Sequence, residues 1–449
     1  MSPHSRYSLA DHNCRQFISF RVLFNSRFYY PVLAILFLDL GLSAAQYTLL
    51  NVVWAIVIVL AEVPSGALAD RIGRRPLVVA AAALMVAEML VLTVAPRDGG
   101  MLLVFLCLIN RILSGLAEAM ASGADESLAY DALVAEGRAG EWPTVLARLM
   151  QWQSAGMVIA MLVGSAVYDP LLLNRLAADA GFILQLDQGT TLRFPIYLNL
   201  LAALCVLAIS LRLRETPTPH GKTAAGARQA LVSIVEAGRW ITHSPTALFV
   251  IIGGLLIDSV IRVFLTFGSA YYRLIDLPEA SYGLIGAAIA GIGLVVSPLA
   301  RGLVTSGSIL RTYAALSALA LFGLLGVALK IPLWGVAFAI PLGAAIATVG
   351  FAVSHHLNKT VDPAHRATVL SFKGLAFNLG YGFVSLLFAI ALRAYRDPQH
   401  AADGFAEALA LLPVWLGVVA LLTAMAFWRH RTTLGSLNRQ IQAPGDRTT

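Results

Sequence analysis

The sequence Gly66-Ala-Leu-Ala-Asp70-Arg71-Ile-Gly73-Arg74-Arg75 places four charged side chains between two long apolar stretches. The stretch before it starts near Tyr47, and the stretch after it, 76–95, holds one ionisable residue, Glu88. Each stretch is long enough to cross a hydrocarbon core of about 30 Å, because an α-helix rises about 1.5 Å per residue. The sequence therefore predicts that the 66–75 segment is a short loop in water that joins two membrane-spanning helices.

The composition of the whole chain also indicates a membrane protein. Hydrophobic residues make up 58% of the sequence and charged residues only 13%, whereas soluble domains hold about 25% charged residues. Because lipid cannot satisfy the backbone of an irregular chain, and no barrel-type alternation occurs, the spans are expected to be helices. We predict an all-α fold of twelve transmembrane helices, centred near residues 34, 57, 86, 111, 156, 202, 258, 291, 320, 344, 380 and 416.

The basic residues are distributed unevenly over the two sides of this topology. Alternating sides puts 23 of the 32 Lys and Arg on the side of both termini and the 66–75 segment, 7 on the other side and 2 within spans. By the positive-inside rule, both termini are cytoplasmic. This distribution explains the net charge of +7, so the charge does not indicate a nucleic-acid partner. Arg outnumbers Lys 28 to 4, a bias typical of GC-rich genomes, so we expect a bacterial inner membrane.

The spans fall into two halves. Six lie in 1–212 and six in 246–428, separated by a polar cytoplasmic linker, 213–245, and followed by a cytoplasmic tail, 429–449. Residues 1–24 are polar and show no cleavable signal. Within the linker, Leu231, Ile234, Val235 and Ile241 recur at helical spacing, which predicts an amphipathic helix. Two six-helix bundles are typical of transporters whose site lies between the repeats.

The 66–75 segment resembles the loop signature of the major facilitator superfamily, Gly-x-Leu-Ala-Asp-Arg-x-Gly-Arg-Arg. Arg111-Ile-Leu-Ser-Gly115 is similar to a second motif of that family, Arg-x-x-x-Gly. The sequences Glu62-Val-Pro-Ser-Gly66 and 122–131 resemble a bacterial branch whose substrates are unassigned. The resemblance implies alternating access between two six-helix bundles and a cytoplasmic gate at the 66–75 segment.

Each charged residue of the segment has an expected place in that gate. Asp70 can point at a helix N-terminus, and the resemblance suggests the start of span eleven. The arginines can reach acids at the inner end of span four; the alternative, for at least one of the three, is that it only anchors the topology. The two glycines are expected to relieve crowding in a tight turn. The predicted gate residues are Gly66, Asp70, Arg71, Gly73, Arg74, Arg75, Glu126 and Asp131.

Ionisable residues inside spans cost about 2.5–3.5 kcal/mol each on insertion scales, so each is a functional candidate. Asp39 in span one and Arg111 in span four are expected at similar depth, where protonation of Asp39 releases the Arg; a static ion pair is the alternative. Glu62 lies beside Pro64 and is a second proton site. The sequence places no obvious cation opposite Glu88, so its expected role is in helix packing or in snorkelling. The predicted proton-coupling residues are Asp39, Glu62, Arg111 and Glu118.

A polar wall is predicted for the substrate cavity. Arg111, Glu118 and Asp125 are spaced by seven residues, which keeps them on one helix face with a drift of about 20° per step. Asp258 and Arg262 share a helix face and either neutralise each other or bind substrate. Side chains in span eleven can bond to substrate or to a neighbouring helix. The predicted cavity residues are Asp125, Asp258, Arg262, Asn378 and Tyr381.

The sequence shows no motif for nucleotide binding, zinc binding or a catalytic nucleophile. We therefore predict that the protein is not an enzyme and that it needs no cofactor. His355-His356 lacks further ligands at metal spacing, so no metal site is predicted. A few acids and only two mid-membrane cations favour proton-coupled export of a small amphipathic solute by a secondary active transporter. The alternatives are a proton symporter or uniporter for a metabolite, and a receptor or sensor that kept the fold without transport. The expected partners are the solute, protons and the lipid bilayer, and the protein is expected to be a monomer.

Overall fold

The regular structure of the chain is helical. The computed structural model describes residues 8–215, 227–306, 308–361, 366–395 and 404–427, and these ranges contain α-helices, short 3₁₀ helices and turns but no β-strand. The predicted all-α fold class is confirmed. Part of the predicted linker, 216–226, and the predicted tail lie outside the described residues.

Contacts within the chain divide it into two compact units. The first comprises Met1–Ala230 with Pro278–Ala287, and the second comprises Leu231–Leu277 with Ala288–Thr449. The first ten helices are α1 Leu9–Asn25, α2 Leu33–Asp39, α3 Ala44–Ile72, α4 Arg74–Val94, α5 Gly100–Ala121, α6 Ala124–Ala135, α7 Trp142–Tyr168, α8 Pro170–Asp179, α9 Gln188–Thr191 and α10 Phe194–Arg212. The remaining helices are α11 Ala227–His243, α12 Pro245–Thr266, α13 Gly268–Leu274, α14 Tyr282–Ser306, α15 Ile309–Ala328, α16 Ala339–Thr360, α17 Arg366–Ala394 and α18 Phe405–Ala426.

Helices long and apolar enough to cross a membrane account for most of the described residues. There are 11 of them, and a bent pair, Glu279–Gly293 and Pro298–Thr305, meets at 43° and gives 12 if the pair crosses as one span. The bent pair falls where the sequence predicts span eight. The protein is therefore a multi-pass membrane protein.

The first span, Leu9–Asp39, is broken between α1 and α2. The peptide N–H of Phe28, which lies in the break, donates to Asn199 Oδ1 of α10 at 3.1 Å. Gly164 of α7 packs so tightly on the break that a Cβ there would overlap the carbonyl of Phe28. Because lipid offers no hydrogen-bond partners, a break at this depth requires neighbouring helices to satisfy the freed backbone groups.

The first helix begins earlier than a span centred near residue 34 predicts. α1 starts at Leu9, and Cys14, Phe17, Phe20 and Phe24 along it are buried. These residues recur at helical spacing and form an apolar stripe, so the polar residues between them do not end the helix. The stripe packs against α6 and α7, where Ala132 and Val145 belong to the same buried cluster.

The 66–75 segment is not a ten-residue loop. α3 continues through Pro64 to Ile72, Gly73 alone makes the turn with φ +95°, and α4 starts at Arg74. Glycine adopts this backbone conformation without strain, so the role predicted for Gly73 in a tight turn fits the structure. The crowding role predicted for Gly66 has no support in the described residues, because a Cβ added there meets none of their atoms within 4 Å.

Several helices begin at a serine that caps their free backbone N–H groups, an arrangement the sequence supplies directly. Ser43 accepts from the N–H of Gln46 at 3.2 Å, and Gln46 accepts in return from the N–H of Ser43 at 2.8 Å. This reciprocal pair is a capping box at the start of α3. The other serine caps are Ser8 of α1, Ser244 of α12 and Ser308 of α15.

Candidate functional site

α3 and α5 are closely packed neighbours in the first unit. A Cβ added to Gly115 would lie 2.9 Å from Val57 Cγ1, so the Arg111–Gly115 motif ends on a glycine that lets the two helices approach. Further along the same pair, the Ser65 hydroxyl donates to the carbonyl of Ala119 at 3.0 Å. The two helices therefore form one wall of the first unit, and both carry predicted proton-coupling residues.

Glu62 of α3 and Glu118 of α5 are the two carboxylates on this wall. Both are half-buried. Among the described residues, neither forms an ion pair with a basic side chain. They differ in this respect from Glu88, Asp125 and Asp258, each of which is held by an arginine.

The structure does not bring Asp39 and Arg111 together as an ion pair. Tyr168 donates its hydroxyl to Asp39 Oδ2 at 2.5 Å. The Arg111 guanidinium donates from Nε and Nη2 to Asn110 Oδ1 at 3.0 and 2.9 Å and lies 5.1 Å from the centre of the Phe37 ring. Asp39 is thus bonded to α7, whereas Arg111 is held by its own helix and by an aromatic ring of α2.

Glu88 has a cation partner, so the expectation that it faces none is wrong. Its Oε1 pairs with Nη1 of Arg27, which lies in the break of the first span. Glu88 is 0% exposed and Arg27 is 3% exposed. Arg27 therefore belongs inside the membrane-spanning part of the chain and not with the basic residues predicted for the cytoplasmic side. The expected set of only two mid-membrane cations is too small.

Asp125 is also paired. Arg21 of α1 donates from Nη2 to Asp125 Oδ1 at 2.8 Å, and Asp125 is 1% exposed. The expectation that Arg111, Glu118 and Asp125 share one helix face is wrong, because α5 ends at Ala121 and Gly123, with φ +76°, separates it from α6. The seven-residue spacing holds a face only along an unbroken helix.

The arginines after Gly73 are bound within the first unit. Arg74 Nη1 pairs with Asp131 Oδ2, and Asp131 is one of the two acids that the sequence offers as possible partners of the arginines. Arg75 donates from Nη2 to the carbonyl of Leu211 at 3.0 Å. Glu215 accepts the backbone N–H groups of Arg74 and Arg75 at 3.0 and 2.9 Å, and so caps the start of α4.

The other predicted gate residues are less constrained. Arg71 and Glu126 are exposed, and neither forms an ion pair with a described residue. The side chain of Asp70 lies outside the described residues, as does most of the span-eleven start to which the resemblance directs it.

Four predicted cavity residues meet in the second unit. Arg262 donates from Nη2 to Asp258 Oδ2 at 2.6 Å and from Nη1 to Asn378 Oδ1 at 3.1 Å. Its guanidinium also lies 5.3 Å from the ring centre of Tyr381, whose hydroxyl is 3.0 Å from Thr266 Oγ1. The cluster joins α12 to α17 and presents a charge pair, an amide and an aromatic ring at one place.

The two adjacent histidines do not form part of a metal cluster. In the described ranges, no group of three or more His, Cys, Asp or Glu side chains could hold a metal ion. His356 is buried beside Tyr313, with ring centres 6.5 Å apart, and the His355 ring lies 5.8 Å from that of Phe351. Both imidazoles thus pack against aromatic rings.

A charged cluster fixes the start of α1 to the turn between α6 and α7. Arg138 donates to Asp11, Glu136 and Glu141 at 2.9, 3.2 and 2.8 Å. The backbone N–H of Ala10, which donates to Glu136 at 3.0 Å, holds the pKa of that carboxyl below its usual range. The charged cluster therefore lies at one end of the apolar contact that α1 makes with α6 and α7.

Sequence reasoning missed Arg27, Arg21, Tyr168 and Glu215. Residues 1–24 read as polar and Arg27 was counted on the side of the termini, yet the apolar stripe of α1 gave the signal that the helix starts earlier. The contact of Glu215 has no signal in the sequence, because 140 residues separate it from Arg75.

Comparison with known proteins extends over nearly the whole chain. The structure is similar to that of the nucleoside transporter NupG, with a TM-score of 0.69, 14% identity, and coverage of 94% of this chain and 99% of that one. It is also similar to a bacterial homolog of the human lysosomal transporter Spinster, with a TM-score of 0.62, 17% identity and coverage of 97% and 98%. The structure is similar as well to that of a D-xylose-proton symporter, with a TM-score of 0.59, 18% identity, and coverage of 92% of this chain and 95% of that one. At these identities the likeness shows the fold.

A search among curated proteins gives no significant match. The family model of the Major Facilitator Superfamily, in contrast, matches residues 17–385. That range includes the 66–75 segment, the Arg111–Gly115 motif and the Asp258–Arg262 pair. The chain belongs to the Major Facilitator Superfamily.

Proposed function

We propose that this transporter exports a small amphipathic organic solute in exchange for protons, across a bacterial inner membrane and with both termini in the cytoplasm. Membership of the family makes the protein a transporter of a small molecule and not an enzyme. The protein is also proposed to work as a monomer.

The observation that carries the proposal is the inventory of ionisable residues in the spans. Three carboxylates are neutralised by arginines, in the pairs Arg27–Glu88, Arg21–Asp125 and Arg262–Asp258. Glu62 and Glu118 form no such pair with a described residue. A carboxyl without a cation can hold a proton while it is shielded from water and release it when hydrated, which is the chemistry of proton coupling.

The solute is proposed to contact the cluster of Asp258, Arg262, Asn378 and Tyr381. An amide and a charge pair offer hydrogen bonds, and the Tyr381 ring offers an apolar face. Such a combination suits an amphipathic molecule, because each part of the solute finds a matching surface. Asp39, held by Tyr168, and Arg111 are proposed to respond to the proton that Glu62 or Glu118 carries.

Proton symport of a metabolite is the second candidate. The structural neighbours include a D-xylose-proton symporter and a nucleoside transporter. Their substrates are polar, and the cluster in the second unit can also bond to hydroxyl groups. The two candidates differ in the relative direction of solute and proton.

Proteoliposomes with a pH-sensitive dye in the lumen separate these candidates. The full chain is reconstituted, a pH gradient is imposed, and ethidium, uridine and D-xylose are tested as solutes. Proton flux opposite to solute flux supports exchange, and flux in the same direction replaces it with symport. Solute flux without proton flux refutes coupling, and saturable binding without flux refutes transport.

Glu62→Gln tests the proposed proton site. The variant is expected to lose at least tenfold in proton-driven transport while solute exchange at equal pH is retained. Glu407→Gln is the matched control, because Glu407 is an exposed carboxylate at the start of α18. Equal proton-driven rates in Glu62→Gln and the control would remove Glu62 from the coupling step.

A further inference from the structure

A basic cleft lies beside the end of α10 in the first unit. It has a volume of about 520 Å³ and is lined by His12, Arg75, Leu211, Arg212, Leu213, Arg214 and Glu215. None of these residues belongs to the proposed solute or proton sites. Arg75 is the only member that also lies in the 66–75 segment.

The basic cleft lies at the boundary between membrane and water. α10 ends its span at Arg212, and α4 starts its span at Arg74. The bond from the Arg75 guanidinium to the Leu211 carbonyl, at 3.0 Å, joins these two span ends. Leu211 is 53% exposed at the same level. An apolar side chain beside cationic ones is the surface that the headgroup region of a bilayer meets.

The described residues neutralise the positive charge of the basic cleft only in part. Arg212 and Arg214 are exposed, and among the described residues neither they nor Arg75 pairs with an acid. The carboxylate of Glu215 is already bonded to the backbone N–H groups of Arg74 and Arg75. Nε of Arg75 is buried and has no hydrogen-bond partner among the described residues. In the described part of the chain, the cleft thus holds three guanidinium groups and a single carboxylate, which leaves an excess of positive charge.

The backbone of the basic cleft is fixed before any ligand binds. Asn13 Nδ2 donates to the carbonyl of Arg214 at 2.9 Å, and Asn13 Oδ1 accepts the N–H of the same residue at 3.2 Å. His12 Nε2 donates to the carbonyl of Arg212 at 2.8 Å. α1 therefore holds the segment that presents both exposed arginines, so little ordering is required on binding.

We propose that the basic cleft binds a phosphate group, supplied by the headgroup of an anionic phospholipid or by a free phosphate compound. Guanidinium groups match phosphate in charge and in hydrogen-bond geometry. The site lies at headgroup depth and next to an exposed leucine, and both features suit a lipid whose acyl chains follow Leu211. A bound phosphate would join the ends of α4 and α10 from outside the protein.

The test compares ligands on the purified full-length transporter in detergent. Thermal stabilisation and native mass spectrometry are followed against phosphatidylglycerol, phosphatidylcholine and inorganic phosphate. Saturable stabilisation by phosphatidylglycerol alone assigns the cleft to a lipid. Stabilisation by inorganic phosphate, with competition against the lipid, assigns it to a free phosphate compound. No preference of phosphatidylglycerol or phosphate over phosphatidylcholine overturns the proposal.

Double variants test whether the ligand binds in the basic cleft. Arg212→Gln combined with Arg214→Gln is expected to weaken binding of the preferred ligand about twenty-fivefold, because each basic side chain near an anionic surface contributes about fivefold. Arg239→Gln combined with Arg311→Gln removes the same charge from exposed positions outside the cleft and is the control. Equal weakening in both double variants means unspecific attraction and refutes the site. Arg212→Lys combined with Arg214→Lys keeps the charge and is expected to keep most of the binding.

Discussion

Replacing Glu88 by leucine leaves the guanidinium of Arg27 charged and without its carboxylate in the first unit. Glu88 is fully buried and Arg27 is 3% exposed, so water does not take over the lost contact. Arg27 lies in the break of the first span, where a neighbouring peptide N–H already depends on Asn199 for its partner. The substitution therefore acts on the least regular part of the transmembrane structure.

The expected loss follows from the burial of both groups. Breaking a buried ion pair from one side costs about 3–5 kcal/mol, and a lone arginine at the centre of a membrane helix costs about 2.5–3.5 kcal/mol. A guanidinium cannot escape by losing its proton. We therefore expect Glu88→Leu to lower the free energy of unfolding by about 3 kcal/mol. Removing both charges, with Arg27→Met added, is expected to restore most of this loss.

Unfolding can be followed through the native cysteines. Cys14 and Cys107 are buried, whereas Cys205 is exposed. In a Cys205→Ala background, the rate at which a thiol reagent labels the protein reports the fraction unfolded. Titration with sodium dodecyl sulfate in mixed micelles then gives the free energy of unfolding for wild type, both single variants and the double variant.

Two results would refute the reasoning. A loss below about 1 kcal/mol in Glu88→Leu is the size of a solvated surface pair and would mean that water reaches Arg27. A double variant as unstable as the sum of the two single variants would mean that the two side chains act independently. Glu407→Leu, at an exposed position, is the matched control and is expected to change little.

Three further outcomes are expected. Asp70→Asn should slow turnover severalfold without changing the amount of protein in the membrane, and wild-type turnover per molecule would rule out a gating role. Asp39→Asn should abolish proton-driven transport but leave solute exchange, and Tyr168→Phe should alter the pH profile because it removes the 2.5 Å bond to Asp39; unchanged profiles in both would remove Asp39 from coupling. The pKa of Glu136 is lowered, so its stabilisation is present above the usual value of 4.5 and lost as the pH falls below it. Wild type should therefore lose more thermal stability on acidification than Glu136→Gln, and parallel losses would contradict this.

The fold could be predicted because it depends on hydropathy and on signals read along the chain. Apolar length places the spans, and an ion pair four residues apart on one helix, Asp258–Arg262, follows from helical geometry. A contact between one of the arginines and Glu126 or Asp131 was also accessible, because these residues are expected at the same end of their spans; the pair that forms is Arg74–Asp131. These features need no knowledge of how distant helices pack.

The rest of the candidate site depends on packing between distant segments. Arg27 meets Glu88 across 61 residues, and Tyr168 meets Asp39 across 129. A hydropathy profile averages over the break in the first span and cannot show that its polar residues are satisfied by other helices. The seven-residue spacing of charges failed for a local reason, since Gly123 interrupts the helix that the spacing assumed.

The contacts around Gly73 reduce the number of charged residues that can act in the proposed gate. Arg74 is committed to Asp131, Arg75 bonds to the end of α10, and the backbone of both is capped by Glu215. All of these partners belong to the first unit, so the two arginines brace that unit and would have to break existing bonds to latch onto anything else. Arg71 is exposed and forms no ion pair with a described residue. Of the charges in the 66–75 segment, Asp70 and Arg71 therefore remain as the proposed latch.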